Sequence, residues 1–305
     1  MSTSVQHVVI SGGSGLVGQA LLKHLPSSVE RVTILSRNSS RTHPDPRVHY
    51  SAWNPAQGEL DDAVLSTADA IVNLAGANVG QRWTASHKKA IIDSRLDSTG
   101  LLVQTAQKHP RIQVMVSASA IGLYPDAPEV QSEEATGDDS FISQVVQKWE
   151  EAWQPLVSSD TRTCALRIGL VLANEDGFFK KLKPVFKLGL GAALGGGKQL
   201  VSWIHIDDLA RMFVHALTHA HVAGVYNAVA PQVLSNKAFS KEMASAMNRP
   251  LLPIGVPAFA LKLVMGEMSQ VALRSVGVTS KKILDTGFQW EHASVTSAVQ
   301  ALMKA

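Results

Sequence analysis

The segment Val8-Val9-Ile10-Ser11-Gly12-Gly13-Ser14-Gly15-Leu16-Val17-Gly18 decides the fold of this chain. A short apolar run is followed by glycines at positions 12, 15 and 18, and then by a helical pattern that Pro26 ends. The first two of these glycines let a backbone turn tightly and approach a pyrophosphate, and the third lets the helix pack closely on the strand. The helix N-terminus adds free N–H donors and a positive dipole end. The segment therefore predicts a dinucleotide-binding loop with contacts from Gly12, Gly13, Ser14, Gly15, Leu16 and Val17.

Downstream of this loop, short apolar runs alternate with longer helical stretches. Five further strands are predicted at 32–35, 48–53, 70–74, 113–117 and 163–172, and long helices at 85–109 and 141–157. Continuous apolar strands separated by helices are typical of a parallel sheet that is covered on both faces. We therefore expect an α/β protein with a Rossmann-type, doubly wound parallel sheet.

The alternation changes after Ala173. Helical stretches at 178–188 and 206–219, a glycine-rich loop at 189–197 and a short strand at 225–228 precede a mostly helical end. We expect residues 1–173 to form the dinucleotide-binding domain, with sheet elements continuing to about 230. Residues 174–305 are expected to form a mixed substrate-covering region with a small helical C-terminal lobe.

Composition excludes several classes of protein. Among the 305 residues, 28 basic side chains are scattered against 25 acidic ones, so the formal charge of +3 predicts no nucleic-acid partner. The single cysteine, Cys164, excludes an internal disulfide framework and suits a reducing compartment, so we expect a cytoplasmic protein. No apolar stretch reaches about 18 residues, and the first residues are polar. We therefore expect no membrane partner and no signal peptide; the oligomeric state stays open.

The histidines do not predict a metal site. His215 and His219 have the i, i+4 spacing that could chelate a metal, but no Glu or Cys accompanies them. His205 precedes Asp207 and Asp208 at the start of a predicted helix, so we expect a structural histidine beside an aspartate cap. No metal ligand is predicted.

The end of the second strand bears on the choice of dinucleotide. An NAD-selective site places an acidic residue about 20 positions after the glycines, to accept hydrogen bonds from the ribose. This chain has Ser36 and Arg37 there, and Arg37 can pair with a 2′-phosphate. The alternative is a solvated Arg37 with NAD as the cofactor. The pattern favours NADP(H).

Beyond the glycine loop, further motifs resemble the epimerase-like, extended branch of the short-chain dehydrogenase/reductases. They are Asn73-Leu74-Ala75-Gly76-Ala77, Ser117-Ala118-Ser119 and Trp203-Ile204-His205-Ile206-Asp207-Asp208. A closer resemblance is to an atypical subgroup of uncharacterised epimerase family proteins, some of them labelled cell-division-inhibitor-like. Its features span nearly the whole chain and are Arg82-Trp83, Ser94-Arg95-Leu96, Trp149-Glu150, Arg167-Ile168-Gly169, Gly195-Gly196-Gly197-Lys198-Gln199, Asn227-Ala228-Val229-Ala230-Pro231 and Gly287-Phe288.

This resemblance implies a Rossmann-type fold, an NADP(H) site and a C-terminal region that covers a substrate cleft. Matched positions imply cofactor contacts from Gly12, Gly15, Ser36, Arg37, Leu74, Ala75 and Arg95, and the predicted set also includes Gly76, Ser117 and Ile168. Small residues at 74–77 would let a ligand lie across the sheet edge. The alternative for Arg95 is a surface arginine on a solvated helix.

The catalytic pair of that superfamily is missing. Its reaction uses Tyr-x-x-x-Lys, where the lysine and the nicotinamide charge lower the pKa of the tyrosine. No tyrosine of this chain has a lysine four residues later, and aligning Glu150 on the family's glutamate puts Ile142 and Val146 at the two positions. Ser119 and Tyr124 are the remaining catalytic candidates, with positive charge from Arg82, Lys88 or Lys89. The alternatives are a strand-end serine and a packed tyrosine.

Two functions follow from these residues. One is an NADP(H)-binding oxidoreductase or epimerase that acts on a small polar, for example sugar-like, substrate with a non-standard proton donor. The other is a redox-sensing or regulatory protein that binds NADP(H) without turnover, which the missing tyrosine and lysine favour. The sequence leaves both open.

Overall fold

The computed structural model describes residues 5–157 and 159–304, so the outer ends of the two predicted domain ranges, residues 1–4 and 305, lie outside it. The strands are β1 (His7–Ser11), β2 (Arg31–Ser36), β3 (Val48–Asn54), β4 (Glu59–Leu60), β5 (Ala70–Asn73), β6 (Val114–Ala120), β7 (Val130–Gln131), β8 (Arg162–Ile168), β9 (Leu170–Leu172), β10 (Leu200–Val201), β11 (Trp203–His205), β12 (Gly224–Ala228), β13 (Leu234–Ser235) and β14 (Gly277–Val278). The helices are α1 (Leu16–His24), α2 (Asp62–Ser66), α3 (Ala85–Ala106), α4 (Phe141–Glu151), α5 (Gly177–Lys187), α6 (Ile206–Thr218), α7 (Asn236–Ala246), α8 (Ala258–Met265), α9 (Gln270–Leu273), α10 (Lys281–Leu284) and α11 (Val295–Lys304).

One large sheet carries the fold. Within the described ranges its strand order is β12-β8-β6-β5-β1-β2-β3-β4, and every neighbouring pair is parallel except β3 with β4. The order reverses beside β1, where β2 lies on one side and β5 on the other. Ligands of open α/β sheets bind at such a reversal, outside the carboxyl ends of the strands. The predicted Rossmann-type parallel sheet is confirmed.

Apolar clusters cover both faces of this sheet. On one face, the interior side chains of β1 and β2 pack with residues from α1 and α6, among them Leu21 and Phe213. On the other, Val9 and Ile71 pack against Leu65 of α2 and Leu102 of α3. A strand that is buried on both sides favours apolar residues on both faces, which is why positions 8–10 of β1 and 70–72 of β5 form unbroken apolar runs.

A further core lies among elements from the second half of the chain. Phe179 and Phe186 of α5, Phe239 of α7 and Val299 of α11 pack around Trp203. Helix α6 and strand β12, in contrast, return to the main sheet. The structure therefore places residues after 173 in two locations, a set of helices beside the sheet and an extension of the sheet itself.

The predicted strand 163–172 is two strands. Strand β8 ends at Ile168 and β9 begins at Leu170, where the chain leaves the main sheet and pairs with β11. A Cβ on Gly169 would lie 2.7 Å from a methyl carbon of Val229 and 2.8 Å from the Ser202 carbonyl oxygen. The two chain segments can approach so closely only because residue 169 has no side chain. Because the apolar run continues through residue 169, the sequence pattern gave no sign that the chain changes sheets there.

Two other elements, β6 and α4, end at residues different from the predicted ones, and both differences affect the candidate site. Strand β6 continues to Ala120, beyond the predicted end at Ser117, so Ser119 lies within the sheet and pairs with Arg167 of β8. Helix α4 ends at Glu151, before the predicted Val157, because the chain then turns through a short 3-10 segment at Gln154–Leu156.

Candidate functional site

The three glycines of the loop at positions 12, 15 and 18 have different structural roles. Gly12 has φ +70°, and a Cβ there would lie 2.7 Å from the Leu74 carbonyl. A Cβ on Gly18 would lie 2.5 Å from the Cα of Gly13. Gly15 is exposed, and a Cβ there would meet only the Gly12 carbonyl oxygen, at 3.3 Å. Gly12 and Gly18 therefore let the loop fold against its surroundings, whereas Gly15 leaves space open above the helix.

The N-terminus of α1 is free to bind an anion. Gly15 is its N-cap, no side chain in the described ranges caps it, and its first turn holds no acidic residue. The first N–H groups of a helix have no acceptor within the helix, and the dipole makes this end positive. The loop is held in place from below, since Gly15 N–H donates to the Gly12 carbonyl at 3.0 Å and Gln19 Nε2 donates to the Gly13 carbonyl at 2.8 Å. This geometry fits a pyrophosphate.

A buried polar network joins the strand ends beneath this loop. Ser11 Oγ donates to Asn73 Oδ1 at 2.7 Å, and Asn73 Nδ2 donates to Thr99 Oγ1 at 2.9 Å and to Ser117 Oγ at 3.3 Å. Leu74 N–H donates to Ser11 Oγ at 3.2 Å. The Ser117 hydroxyl, predicted as a cofactor contact, is thus buried and used inside the protein. The network aligns the edges of β1, β5 and β6 and places Leu74 and Ala75 beside Gly12.

Arg95 lies directly beneath Gly76. A Cβ on Gly76 would lie 3.1 Å from Arg95 Cζ, and Nη1 donates to the carbonyls of Ala77 (3.2 Å) and Ile91 (3.0 Å). The guanidinium also lies over the Trp149 ring, with its Cζ 4.9 Å from the centroid, and burial lowers its pKa to about 10. Arg95 is therefore half-buried at the sheet edge, which does not fit the alternative of a solvated surface arginine.

Arg37 is exposed immediately after β2, and Ser36 accepts a hydrogen bond from Asn38 N–H at 3.2 Å. Arg37 lines a cavity of about 610 Å³ at the ends of β2 and β3, whose walls include Trp53 and Asn54. The carboxylates of Glu59 and Asp61 line the same cavity. Asp61 is already engaged as the N-cap of α2, where it accepts from Ala63 N–H. Arg37 is the basic residue among those that line this cavity.

Ser119 and Tyr124 belong to one buried network around an ion pair. Arg167 bonds both carboxylate oxygens of Glu150, from Nε and Nη2 and at 2.8 Å each. Ser119 Oγ donates to Glu150 Oε1 at 2.5 Å, and Arg167 Nη1 donates to the Tyr124 hydroxyl at 2.8 Å. The Tyr124 hydroxyl in turn donates to Asn227 Oδ1 at 2.6 Å. The structure brings the two predicted catalytic residues together through partners that sequence analysis had not assigned to them.

Tyr124 would need a lowered pKa to serve as an acid or base, and its surroundings have the opposite effect. Tyr124 has no exposed surface, and burial raises the pKa of its hydroxyl although Arg167 acts in the opposite direction. Ser119 is 3% exposed. The sequence signal for this network was limited to Arg167, a basic residue between Leu166 and Ile168, and to Glu150 after Trp149. A buried charge needs a partner, so such a pair predicts an internal contact.

The family's two catalytic positions are apolar in the structure as well. Val146 is buried in α4, and Ile142 packs beside Gly122, where a Cβ would lie 2.8 Å from Ile142 Cγ1. One residue before Ile142, the ring of Phe141 lies 5.0 Å from Lys88 Nζ. Lys88 forms an ion pair with Glu267, while Lys89 pairs with Asp93 along the exposed side of α3. Lys88 is thus the lysine that the fold brings to the start of α4.

A short segment after α8 packs beside the start of α4. Met268 packs in the cluster of Trp83, Ile91 and Val145, and Gly266 lies against Arg82, whose Nε would be 3.5 Å from a Cβ. Residues 82–88 and 266–268 therefore meet beside the start of α4. The chain separation of these segments explains why sequence analysis named Arg82 and Lys88 but missed Glu267.

His205 is the N-cap of α6, since its Nδ1 accepts from Asp207 N–H at 3.2 Å, so the expectation of an aspartate cap is wrong. Asp208 is buried and accepts from the N–H groups of Glu291 and His292. Among described residues, only His205, Asp207 and His292 are grouped closely enough to share a metal ion. The His205 and His292 rings lie 4.0 Å apart beside a positive helix end, an environment that disfavours a cation. Burial lowers the His205 pKa to about 4.

Comparison with known proteins connects this geometry to a family. The NAD dependent epimerase/dehydratase family matches residues 8–148, and a domain of unknown function (DUF1731) matches 256–302. An epimerase family protein of Staphylococcus saprophyticus is 34% identical over 98% of this chain and 100% of its own length. The chain belongs to the epimerase family. The predicted resemblance is confirmed.

Solved structures of related proteins support the same assignment for this epimerase-family protein. The human epimerase family protein SDR39U1 (isoform 2), solved with NADPH, has a TM-score of 0.87 and 32% identity, covering 98% of this chain and 99% of that one. A nucleoside-diphosphate sugar epimerase from Corynebacterium glutamicum has a TM-score of 0.78 and 28% identity, covering 97% of this chain and 58% of that one. The protein is an NAD(P)-binding member of the family with the short-chain dehydrogenase/reductase fold. None of the described helices has the length and apolar character needed to cross a membrane.

Proposed function

We propose that this epimerase-family protein binds NADP(H) and uses it as an oxidoreductase or epimerase on a small polar, for example sugar-like, substrate. The observation that carries the proposal is the open, uncapped N-terminus of α1 at Gly15, with the cationic Arg37 at the end of the neighbouring strand. Pyrophosphate and 2′-phosphate groups suit these two positions. The human relative solved with NADPH and the nucleoside-diphosphate sugar epimerase support the cofactor and the substrate class.

The residues of the chain would have separate roles in binding the dinucleotide and in positioning the sheet edge. The α1 N-terminus and Gly12, Gly13, Ser14, Gly15, Leu16 and Val17 would hold the pyrophosphate; Ser36, Arg37, Leu74, Ala75, Gly76, Arg95 and Ile168 would line the remainder of the site. The buried Ser117 hydroxyl would act through the network beneath the loop. When bound, the dinucleotide supplies or accepts a hydride. Ser119 and Tyr124 would position the end of β6, because neither hydroxyl is exposed enough to meet a substrate. A fall in turnover of about 10²–10⁴-fold in Tyr124→Phe, with unchanged NADPH affinity, would restore a direct role for that hydroxyl.

Arg37→Asp is expected to weaken NADPH binding and to leave NADH binding equal or stronger. The substitution removes a charge-assisted hydrogen bond, worth about 1.5–3 kcal/mol, and places a like charge beside the 2′-phosphate. Titration calorimetry with both dinucleotides measures the change. Arg31→Asp, on an exposed arginine at the opposite end of β2, is the matched control and should bind NADPH as the wild type does. Equal NADPH affinity in Arg37→Asp and wild type would remove the basis for NADP(H) selectivity.

In the catalytic proposal, Lys88 exchanges the proton with the substrate. Its ammonium can donate a proton, and the amine that is left can take one back; the fold places this group beside the start of α4, where Glu267 holds it. Lys88→Met is expected to lower turnover about 10²-fold or more while NADPH affinity stays unchanged, because general acid–base catalysis contributes on this scale. Lys89→Met, one residue away on the solvent side of α3, is the control. Equal turnover in both variants would assign the proton to water or another group.

The second candidate function is a sensor that binds NADP(H) without turnover. The apolar side chains of Ile142 and Val146 and the enclosed Tyr124 hydroxyl favour it. Nicotinamide fluorescence during incubation with pooled metabolites separates the two. Substrate-dependent decay that Lys88→Met slows supports the enzyme, and tight binding with no decay across a broad pool supports the sensor.

A further inference from the structure

Helix α8 and the turns before it expose large apolar side chains. Ile254, Phe259, Leu263 and Val264 are each 74–79% exposed, and α8 buries none of its eight residues. Exposed apolar side chains that occur singly are ordinary, but a contiguous group of them marks an interaction site. The helix is too short to span a bilayer, so its apolar character calls for a partner on the surface.

This group is continuous with the end of α5. Arg249 Nε donates to the Lys187 carbonyl at 2.6 Å, Leu252 N–H donates to the Gly191 carbonyl at 2.8 Å, and Val256 N–H donates to the Ala193 carbonyl at 2.7 Å. These bonds join 187–193 to the segment that leads into α8. Leu188, 75% exposed, and Leu190 add to the apolar surface there. We call the exposed residues of 177–191 and 248–265 the apolar-basic surface.

The charges on this surface have one sign. Its exposed ionisable side chains are Lys180, Lys181, Lys187, Arg249 and Lys262. Neither 177–191 nor 248–265 contains an aspartate or a glutamate. This is a local departure from the chain as a whole, where basic and acidic residues nearly balance. The partner must therefore be anionic as well as able to accept apolar side chains.

A second copy of this chain does not meet that requirement. A two-fold contact places the same patch on both sides, so five like charges would face their own counterparts. An anionic lipid surface meets both conditions, because its headgroups attract Lys and Arg while the acyl boundary takes up Leu, Phe and Ile. We propose that the apolar-basic surface docks this protein onto an anionic lipid membrane, with α8 lying in the plane of the interface.

This proposal is independent of the function proposed above. The expectation of no membrane partner rested on the absence of a long apolar stretch, and a surface contact of this kind requires none. The surface shares no residue with the predicted dinucleotide site. Docking can therefore be tested without disturbing cofactor binding.

Vesicle co-sedimentation of the full chain provides the test, with phosphatidylcholine vesicles compared with vesicles that also contain phosphatidylglycerol. We expect binding to the anionic vesicles alone, and weaker binding at higher salt. Each basic residue near such a surface strengthens binding about fivefold, so Lys180→Glu/Lys181→Glu should weaken it about 25-fold or more. Phe259→Asp/Leu263→Asp should abolish it. Circular dichroism and NADPH titration confirm that each variant is folded.

A matched control changes the same kinds of residue elsewhere. Lys108→Glu/Leu284→Asp alters an exposed lysine and a 51%-exposed leucine outside the surface, and should bind vesicles as the wild type does. Equal binding to neutral and anionic vesicles, no binding, or undiminished binding in the two test variants would each overturn the proposal. So would a dimer in light scattering that Phe259→Asp/Leu263→Asp dissociates while vesicles stay unbound, since the occupant would then be a second copy.

Discussion

Gly15→Val is expected to abolish dinucleotide binding while leaving the free energy of unfolding nearly unchanged. The glycine is exposed, lies outside the left-handed region, and a Cβ there meets only the Gly12 carbonyl oxygen at 3.3 Å. The branched side chain would instead fill the space in front of the α1 N–H donors. Losing two charge-assisted hydrogen bonds at about 1.5–3 kcal/mol each weakens binding at least about 100-fold.

Titration calorimetry with NADPH and thermal unfolding of the same preparation measure the two halves of this prediction. Gly100→Val is the matched control, because Gly100 is exposed on α3 and a Cβ there meets no neighbouring atom within 4 Å. It should bind NADPH normally. Gly18→Ala should disturb the loop itself, since its Cβ would lie 2.5 Å from the Gly13 Cα. Retained binding in Gly15→Val would mean that the loop is only a turn.

Arg167→Met is expected to lower the free energy of unfolding by about 3–5 kcal/mol, because removing one partner of a buried ion pair leaves the other charge uncompensated. Both carboxylate oxygens of Glu150 bond to Arg167, and the side chains of the pair are only 7% and 12% exposed. The substitution also removes the donor to the Tyr124 hydroxyl. The midpoint and slope of urea unfolding measure the loss.

Two variants calibrate that measurement. Tyr124→Phe removes a single hydroxyl from the same network and should cost about 1–3 kcal/mol. Lys281→Met breaks an exposed i, i+4 pair with Asp285 and should change stability by about 0.5 kcal/mol or less. If Arg167→Met costs no more than Lys281→Met, the Glu150–Arg167 pair does not hold the sheet edge together.

Local features of the sequence by themselves determined the glycine loop and the interior strands of the sheet. Gly12 has a left-handed backbone and Gly12 and Gly18 make close approaches that a side chain would block, whereas Gly15 leaves the helix N-terminus open. The order of these glycines after an apolar strand was sufficient to predict the loop. The apolar runs in β1, β2 and β5 predicted interior strands, because burial on both faces favours apolar side chains and admits polar ones such as Thr33 only where they are hydrogen-bonded. The absence of a Tyr-x-x-x-Lys pair needed no structure to establish.

The tertiary structure alone decided which polar side chains meet. Tyr124 bonds Asn227, 103 residues away, and Lys88 pairs with Glu267 across a still longer separation. The chain leaves the main sheet at Gly169 because Val229 and Ser202 approach it there. Those two residues lie outside 163–172, so the sequence of that segment could not predict the change. Periodicity and glycine placement report on a residue's own backbone and degree of burial. Desolvation and hydrogen-bond partners are set by distant segments, so the raised pKa of Tyr124 and the half-buried position of Arg95 emerged only when the chain was folded.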